Sequence, residues 1–264
     1  MTAASPILTE PAAEAAIGAA CRSLHLPTVR ELAGELADAA VRDRLTHRAY
    51  LAELLSAETD ARDTRRRDRR IKEARFPRVK RLDSFDLAAA PGVPPATLAA
   101  LAAGTWIDHG QPLVLLGDSG TGKTHLLIGA GIAACDQGRS VRYTTTAALV
   151  NELVEAADER ILAKTIGRYG RLDLLCLDEL GYLHLDPRGA ELLFQVITER
   201  EERASIAVAS NAAFSEWGQT FTDPRLAAAV VDRLTFNALI IQTGTDSYRL
   251  RTTRRAKKGA TPSS

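Results

Sequence analysis

Eight consecutive residues, Gly117-Asp118-Ser119-Gly120-Thr121-Gly122-Lys123-Thr124, satisfy the pattern GxxxxGK[ST] at every fixed position. The chemistry of that pattern is phosphate binding. Its glycines let the backbone curl until several N–H groups face one anion. A helix starting at the end of the loop adds the positive end of its dipole. Lys123 is placed to reach the β- and γ-phosphates of a nucleotide, and the Thr124 hydroxyl to bind Mg²⁺. His125 comes next, in the first turn of that helix. It counts among the nucleotide-proximal residues, with a structural role favoured over a catalytic one.

A second chemical feature lies about 55 residues further on: Leu174-Leu175-Cys176-Leu177 is an apolar run ending in Asp178-Glu179. A buried strand with this composition delivers its last residues to the carboxyl edge of a sheet, where ligands collect in α/β folds. Asp178 is placed to hold Mg²⁺, through water, and Glu179 to polarise an attacking water as a general base. Two adjacent acids after a complete phosphate loop favour ATP hydrolysis over phosphoryl transfer to a small molecule. ATP and Mg²⁺ are therefore the expected cofactors.

Three arginine or amide features leave alternatives open. Asn211, directly after an apolar run, can hydrogen-bond a γ-phosphate or the lytic water, or simply shape a strand-end turn. Arg225 and Arg233 can stabilise transition-state charge in a neighbouring subunit. Spacing alone favours solvated arginines or local pairs with Asp223 and Asp232. Arg62, Arg65, Arg66, Arg69 and Arg70 follow i, i+3, i+4, i+7, i+8 spacing, which puts them on one helix face. From Arg62 to Arg81 there are 11 basic and 3 acidic residues, and from Arg249 to Lys258 six basic and none acidic. The rest of the chain has 17 basic against 30 acidic residues, so a net charge of +1 hides strong segregation. Only Asp63, Asp68 and Glu73 offset the first segment, which favours contact with nucleic-acid phosphates over a merely solvated face.

The elements needed to position these residues are legible in outline. Short apolar runs at 113–116, 141–144, 174–177, 206–209 and 239–242 read as strands, and helices are expected at 125–135, 147–157, 189–203 and 226–234. Gly138 is a plausible C-cap. Strict alternation argues for a parallel sheet covered on both faces. Upstream, 1–20 reads as a loose Ala-rich leader, and a short helix is expected from Leu24 to Leu36 with Pro27 in its first turn. A helix is expected over 41–74, stopped by Pro77. Pro91-Gly92-Val93-Pro94-Pro95 reads as a linker or turn.

Several segments together resemble one family, the IstB-like ATPases that help insertion-sequence transposases, relatives of the DnaC helicase loaders and the DnaA initiators. They are Gly120-Thr121-Gly122-Lys123-Thr124-His125-Leu126, Asp178-Glu179-Leu180-Gly181-Tyr182, Gly189-Ala190-Glu191-Leu192-Leu193-Phe194-Gln195, Ser210-Asn211, Phe214-Ser215-Glu216-Trp217, Asp232-Arg233-Leu234 and Ser247-Tyr248-Arg249-Leu250. The resemblance covers roughly residues 45 to 252 and includes Leu82-Asp83-Ser84-Phe85-Asp86 at the entry to the nucleotide-binding module. It implies an α/β fold: an AAA+ P-loop NTPase with a parallel five-stranded sheet, order 5-1-4-3-2, plus a small N-terminal helical domain. It implies Asn211 as sensor, Arg233 as arginine finger and Arg249 as a further nucleotide-proximal arginine. It implies ATP-dependent homo-oligomerisation on duplex DNA, and delivery of that DNA to a transposase, which the protein stimulates. A DnaC-type helicase loader is the alternative. The expected organisation is a leader and short helix over 1–40, a basic DNA-binding region over 41–81, the AAA+ domain over 82–252 and a basic tail over 253–264.

Cys21, Cys135 and Cys176 are far apart and none stands in a CxxC pair, which excludes a disulfide scaffold and fits a reducing cytoplasm. His184 has no second ligand candidate near it, so no metal site is expected there. No run is apolar enough to span a membrane, and the N-terminus lacks the basic start of a secretion signal.

Overall fold

The structure, a computed structural model, describes residues 9–245. The chain divides into two compact units, 1–68 and 69–264, the boundary falling within one long helix.

The first unit is helical: α1 (Glu10–Ser23), α2 (Pro27–Arg42) and most of α3 (His47–Ala74). A helix thus stands where composition alone reads as a loose leader. Pro27 does occupy the first turn of α2. The single helix expected over 41–74 is interrupted at 43–46, where Arg44 takes a left-handed φ of 53°. Neither Pro nor Gly marks that break, which is why the sequence pattern misses it. Cys21, Val29 and Leu54 form a small core with Leu26, Leu32, Leu36 and Tyr50 packed against it. The Tyr50 hydroxyl donates to Ala33 O at 2.9 Å. Glu58 is buried, with only 3% of its surface exposed. Its carboxylate accepts from the N–H groups of Thr28 and Val29 at the start of α2, at 2.8 and 3.2 Å. The α3 helix ends at Ala74 because Arg75 turns left-handed (φ 61°), two residues ahead of Pro77.

The second unit holds a five-stranded parallel sheet: β1 (Leu113–Leu116), β2 (Val141–Thr145), β3 (Leu174–Leu180), β4 (Ser205–Ser210) and β5 (Leu239–Gln242). The spatial order is β2-β3-β4-β1-β5, the expected 5-1-4-3-2 read from the other edge. Alternate side chains face opposite layers. Val114, Leu116, Leu175, Leu177, Ile206 and Val208 join a core with α7 (Thr146–Asp158), α8 (Leu162–Gly170), α9 (Pro187–Arg200), α10 (Trp217–Phe221) and α11 (Pro224–Thr235). Leu113, Leu115, Leu174, Cys176, Ala207 and Ala209 face α4 (Pro95–Ala103), α5 (Thr105–Asp108), α6 (Lys123–Asp136) and the chain around Ala74 to Val93. Both faces of the sheet are therefore dry, which explains strands that read as continuous apolar runs.

Gly138 (φ 92°) ends α6, its N–H donating to Cys135 O and that of Arg139 to Ala134 O. Arg200, the last residue of α9, is 1% exposed and feels the charge of the Asp173 carboxylate. Its guanidinium donates to the carbonyls of Tyr169, Leu172 and Ser205, the latter two at 2.9 and 2.6 Å. It thereby fastens the end of α8 and the starts of β3 and β4. Burial lowers its pKa to about 10, so it stays charged at neutral pH. All three cysteines are buried thiols, and burial pushes that of Cys135 up to about 12. Among the described residues no His, Cys, Asp and Glu cluster fits a metal ion, and no helix is long and apolar enough to cross a membrane.

Candidate nucleotide site

The loop 117–122 leaves the carboxyl end of β1 and feeds α6 at Lys123. Gly122 carries a φ of 103°, and a Cβ there would meet the Phe85 ring at 2.8 Å. Backbone conformation and crowding thus both require glycine. Lys123 Nζ donates to Gly117 O at 2.6 Å and Asp118 O at 2.8 Å, so the ammonium lies inside the curl of its own loop. Thr243, just past β5, braces the loop from behind: its hydroxyl meets that of Thr121 at 2.6 Å and donates to Leu116 O at 3.1 Å. Asp118 N donates to Gly244 O at 3.1 Å. Residues 120–125 line a cavity of about 320 Å³ together with Arg78, Lys80, Phe85 and Ala89. That volume lies in the range of small-ligand pockets.

His125 supports the loop from the other side. Its Nε2 lies 2.9 Å from Arg81 O, so that nitrogen carries the proton and donates. The ring meets Phe85 edge-on at 5.3 Å. Burial holds its pKa below the ordinary value, against the opposing effect of the Arg81 carbonyl. A neutral imidazole bonded to backbone fits a structural role.

Asp178 is 4% exposed at the end of β3. Its Oδ1 accepts from Glu179 N at 2.9 Å and its Oδ2 from the Tyr143 hydroxyl at 2.8 Å. The Thr146 hydroxyl donates to its main-chain oxygen at 3.1 Å. Glu179 is exposed and left-handed, with φ 63°. The β3–β4 register shifts between Leu177 and Leu180, a bulge that re-aims this one residue. A non-glycine residue in that conformation costs about 1–2 kcal/mol. Such strain collects where function fixes a side chain's direction.

Leu180 pairs with Ser210, which sets Asn211 beside the turn that follows Glu179. The Ser210–Ala212 turn is pinned by Trp217, whose indole N–H lies 3.2 Å from both Ser210 Oγ and Ala212 O. Asn211 Oδ1 is buried and has no hydrogen-bond partner among the described residues. Unmet buried acceptors are rare in folded proteins. The phosphate loop, the two acids and Asn211 thus gather at the carboxyl ends of β1, β3 and β4. Tyr182 also reaches this edge, its hydroxyl 2.6 Å from Ser119 Oγ.

Arg233 lies elsewhere. It lines a depression with Gln111, Pro112 and Ala204, residues that precede β1 and β4, at the opposite edge of the sheet. Arg225 opens α11, its N–H donating to Asp223 Oδ1 at 2.8 Å. Arg249 lies outside the described residues, as does the basic run 254–258.

The arginines of α3 are not equivalent. In the first unit Arg62 and Arg65 pair with buried Glu58 at 3.4 and 3.1 Å. Arg62 also donates to His25 O at 2.8 Å. Arg66 makes an exposed contact with Asp63 at 3.6 Å. In the second unit Arg69 makes an exposed pair with Glu73 at 3.6 Å. Arg70 lines a groove there with Arg69, Arg75, Arg142 and Arg168.

Tyr143, Trp217 and Thr243 escape a reading of the sequence because their roles depend on register across strands. The signal available was positional: each stands on or just after an element that ends at the ligand edge.

A five-stranded parallel sheet in this order, with a GxxxxGK[ST] loop after the interior strand β1 and paired acids at the end of β3, defines a P-loop nucleotide-binding protein of the AAA+ type. The chain belongs to the IstB-like ATP binding protein family, whose model matches residues 19–256. A putative insertion sequence ATP-binding protein of Sinorhizobium fredii is 37% identical over 246 residues, covering 93% of this chain and 83% of the relative. The putative ATP-binding protein of insertion sequence IS5376 from Geobacillus stearothermophilus is 37% identical over 231 residues, covering 88% and 92%. Among solved structures, AMPPCP-bound DnaA from Aquifex aeolicus superposes with a TM-score of 0.54 at 20% identity, over 72% of this chain and 57% of that one. The DnaC helicase loader superposes with a TM-score of 0.50 at 17% identity, over 62% and 96%. This chain therefore spans little more than half of the DnaA structure, and at these identities the likeness is one of fold.

Proposed function

We propose that this chain is a Mg²⁺-dependent ATPase that oligomerises on duplex DNA, delivers that DNA to a cognate transposase and stimulates it. The observation that carries the ATPase reading is the single sheet edge holding Lys123, Asp178, Glu179 and Asn211. The cradle fits a nucleotide: the glycine-lined curl suits phosphate, and a threonine hydroxyl and a carboxylate at the same sheet edge are a donor set for a hard cation. Thr124 and Asp178 would hold Mg²⁺, which when bound neutralises charge on the β- and γ-phosphates.

In this reading Lys123 leaves the loop carbonyls for the phosphates, its charge then facing an anion instead of two dipoles. Glu179, exposed and aimed by the bulge, accepts the proton of the attacking water. Asn211 supplies the unmet Oδ1 to that water and orients it. Phe85 and Ala89, which line the cavity beside the loop, enclose the part of the nucleotide away from the phosphates. Arg233 lies at the far edge of the sheet from its own phosphate loop, so it acts on the nucleotide of a second copy. This geometry supports an oligomer with ATP between subunits.

Support for DNA comes from α3, whose arginine-rich stretch includes exposed Arg66 and Arg69. Support for transposition comes from the family and from relatives named for insertion sequences. Light scattering of the purified protein tests the whole reading. A large complex that forms only with ATP and duplex DNA together supports it. A persistent monomer, or assembly indifferent to DNA, moves the assignment to a helicase-loader adaptor acting through a protein partner.

A further inference from the structure

Both oxygens of the Asp178 carboxylate accept a hydrogen bond. One oxygen accepts from its neighbour's N–H, and the other from the Tyr143 hydroxyl at 2.8 Å. Tyr143 stands on β2, an edge strand, with Thr145 paired to Asp178 in register. A carboxylate held at both oxygens cannot rotate about its last bond without losing a hydrogen bond. Partners of this kind fix the direction of a metal-side carboxylate.

Tyr143 is itself braced. Its ring packs against Phe76 at 6.1 Å between centroids, inclined by 55°. Phe76 in turn lies on α6 at Gly131, where a Cβ would meet its ring at 2.8 Å. That helix position admits no side chain while Phe76 keeps its seat. Phe76 follows the end of α3 by two residues, and Ala74, the last residue of α3, is fully buried in the same apolar layer. An unbroken line of contacts therefore runs from the end of the basic helix through Phe76 and Tyr143 to Asp178, all within the second unit.

We propose that Tyr143 is a positioning residue for Asp178, and that Phe76 ties this position to the end of the basic helix. The proposal rests on the reading of Asp178 as the metal-side carboxylate. Its consequence is that displacement of the α3 end alters the competence of the metal site without touching the phosphate loop.

The test uses the full chain with Tyr143→Phe, which removes one oxygen, and Phe76→Leu, which keeps an apolar filler. Two quantities are read: binding of a fluorescent ATP analogue with and without Mg²⁺, and the Mg²⁺ concentration for half-maximal turnover. Tyr143→Phe leaves Mg²⁺-free binding unchanged, abolishes most of the affinity gained on adding Mg²⁺, and raises the half-maximal Mg²⁺ concentration about tenfold. Phe76→Leu shifts both in the same direction by less, and the double variant does no more than Tyr143→Phe alone, because both act through one hydroxyl. An unchanged Mg²⁺ requirement in Tyr143→Phe overturns the positioning role. Additive effects in the double variant overturn the link through Phe76. A wild-type protein whose nucleotide binding and turnover ignore Mg²⁺, or an Asp178→Asn variant that behaves as wild type, overturns the metal reading beneath them.

Discussion

The guanidinium of Arg233 lies over the ring of Phe194, 4.7 Å from its centroid. Glu201, at the end of the same α9 helix, completes the hold with an oxygen 2.9 Å from Nε. An arginine kept in one direction by a ring and a carboxylate loses less freedom when it meets an anion. If it serves a neighbour's nucleotide, Arg233→Ala lowers turnover by about 10³-fold or more, while ATP affinity changes little. Mixing settles where it acts. Arg233→Ala subunits retain an intact phosphate loop, and Lys123→Ala subunits retain an intact arginine. Combined, the two inactive variants regain part of the ATPase rate if the arginine works between subunits. No recovery on mixing places its action within one chain.

Glu179 separates binding from chemistry. Glu179→Gln keeps the side chain's size and the left-handed backbone but cannot take a proton. It should bind ATP as the wild type does, turn over at least about 10²-fold more slowly, and accumulate as the assembled form in light scattering. Normal hydrolysis would remove Glu179 from the base role. The strained φ gives an independent readout. Glu179→Gly should be more stable than Glu179→Ala by about 1 kcal/mol in denaturant titration, because only glycine adopts that conformation freely. Equal stability would mean that the bulge relaxes once the carboxylate is gone.

The parts of this fold written in local pattern were legible in the sequence. The strand Leu174–Leu177 could be read because burial on both faces forces continuous apolar character. The phosphate loop could be read because backbone curl and charge demand fixed residue types. What depends on tertiary contact could not. Helix α8 has no side-chain cap and contains two glycines, so only the i, i+4, i+7 spacing of Leu162, Ile166 and Tyr169 announces it. The break at 43–46 lacks the usual punctuation. The Glu58–Arg62 pair has i, i+4 spacing on α3, but the burial of Glu58 against the start of α2 requires knowing how the first three helices pack. The Tyr143–Asp178 bond lies across two strands and has no signature along the chain.

Glu58 gives the helical unit a pH dependence. Burial alone would raise its pKa, but the N–H groups of Val29 and Thr28 and the guanidiniums of Arg65 and Arg62 outweigh burial and hold it below the ordinary carboxylate value. A depressed folded pKa means that the stabilisation is complete above the unfolded-state pKa, about 4.3 for glutamate. It is lost as pH falls through the lower folded value. Thermal melts should therefore show the first unit weakening on acidification below that point. Glu58→Gln should melt lower at neutral pH and lose this part of the acid sensitivity. A variant whose melting matches the wild type at both pH values would show that the carboxylate contributes nothing there.

That pairing also decides which arginines can be used to test DNA binding. Reversing Arg65 to Glu would set a second carboxylate against buried Glu58, so lost DNA affinity would be inseparable from a damaged fold. Arg66 and Arg69 are better placed. Their side chains are 57% and 73% exposed, and each makes a 3.6 Å contact with an exposed acid. Surface pairs of this kind contribute about 0–1 kcal/mol, so Arg66→Glu with Arg69→Glu should leave the melting temperature almost unchanged. If both meet phosphates, duplex DNA affinity falls strongly at low salt. The slope of log K against log salt concentration becomes shallower by about 2, since each lost phosphate contact removes about 0.9. An unchanged slope in a folded double variant would take DNA off this face of α3. A uniform loss across DNA sequences would show that the helix reads backbone charge and leaves target choice to other residues.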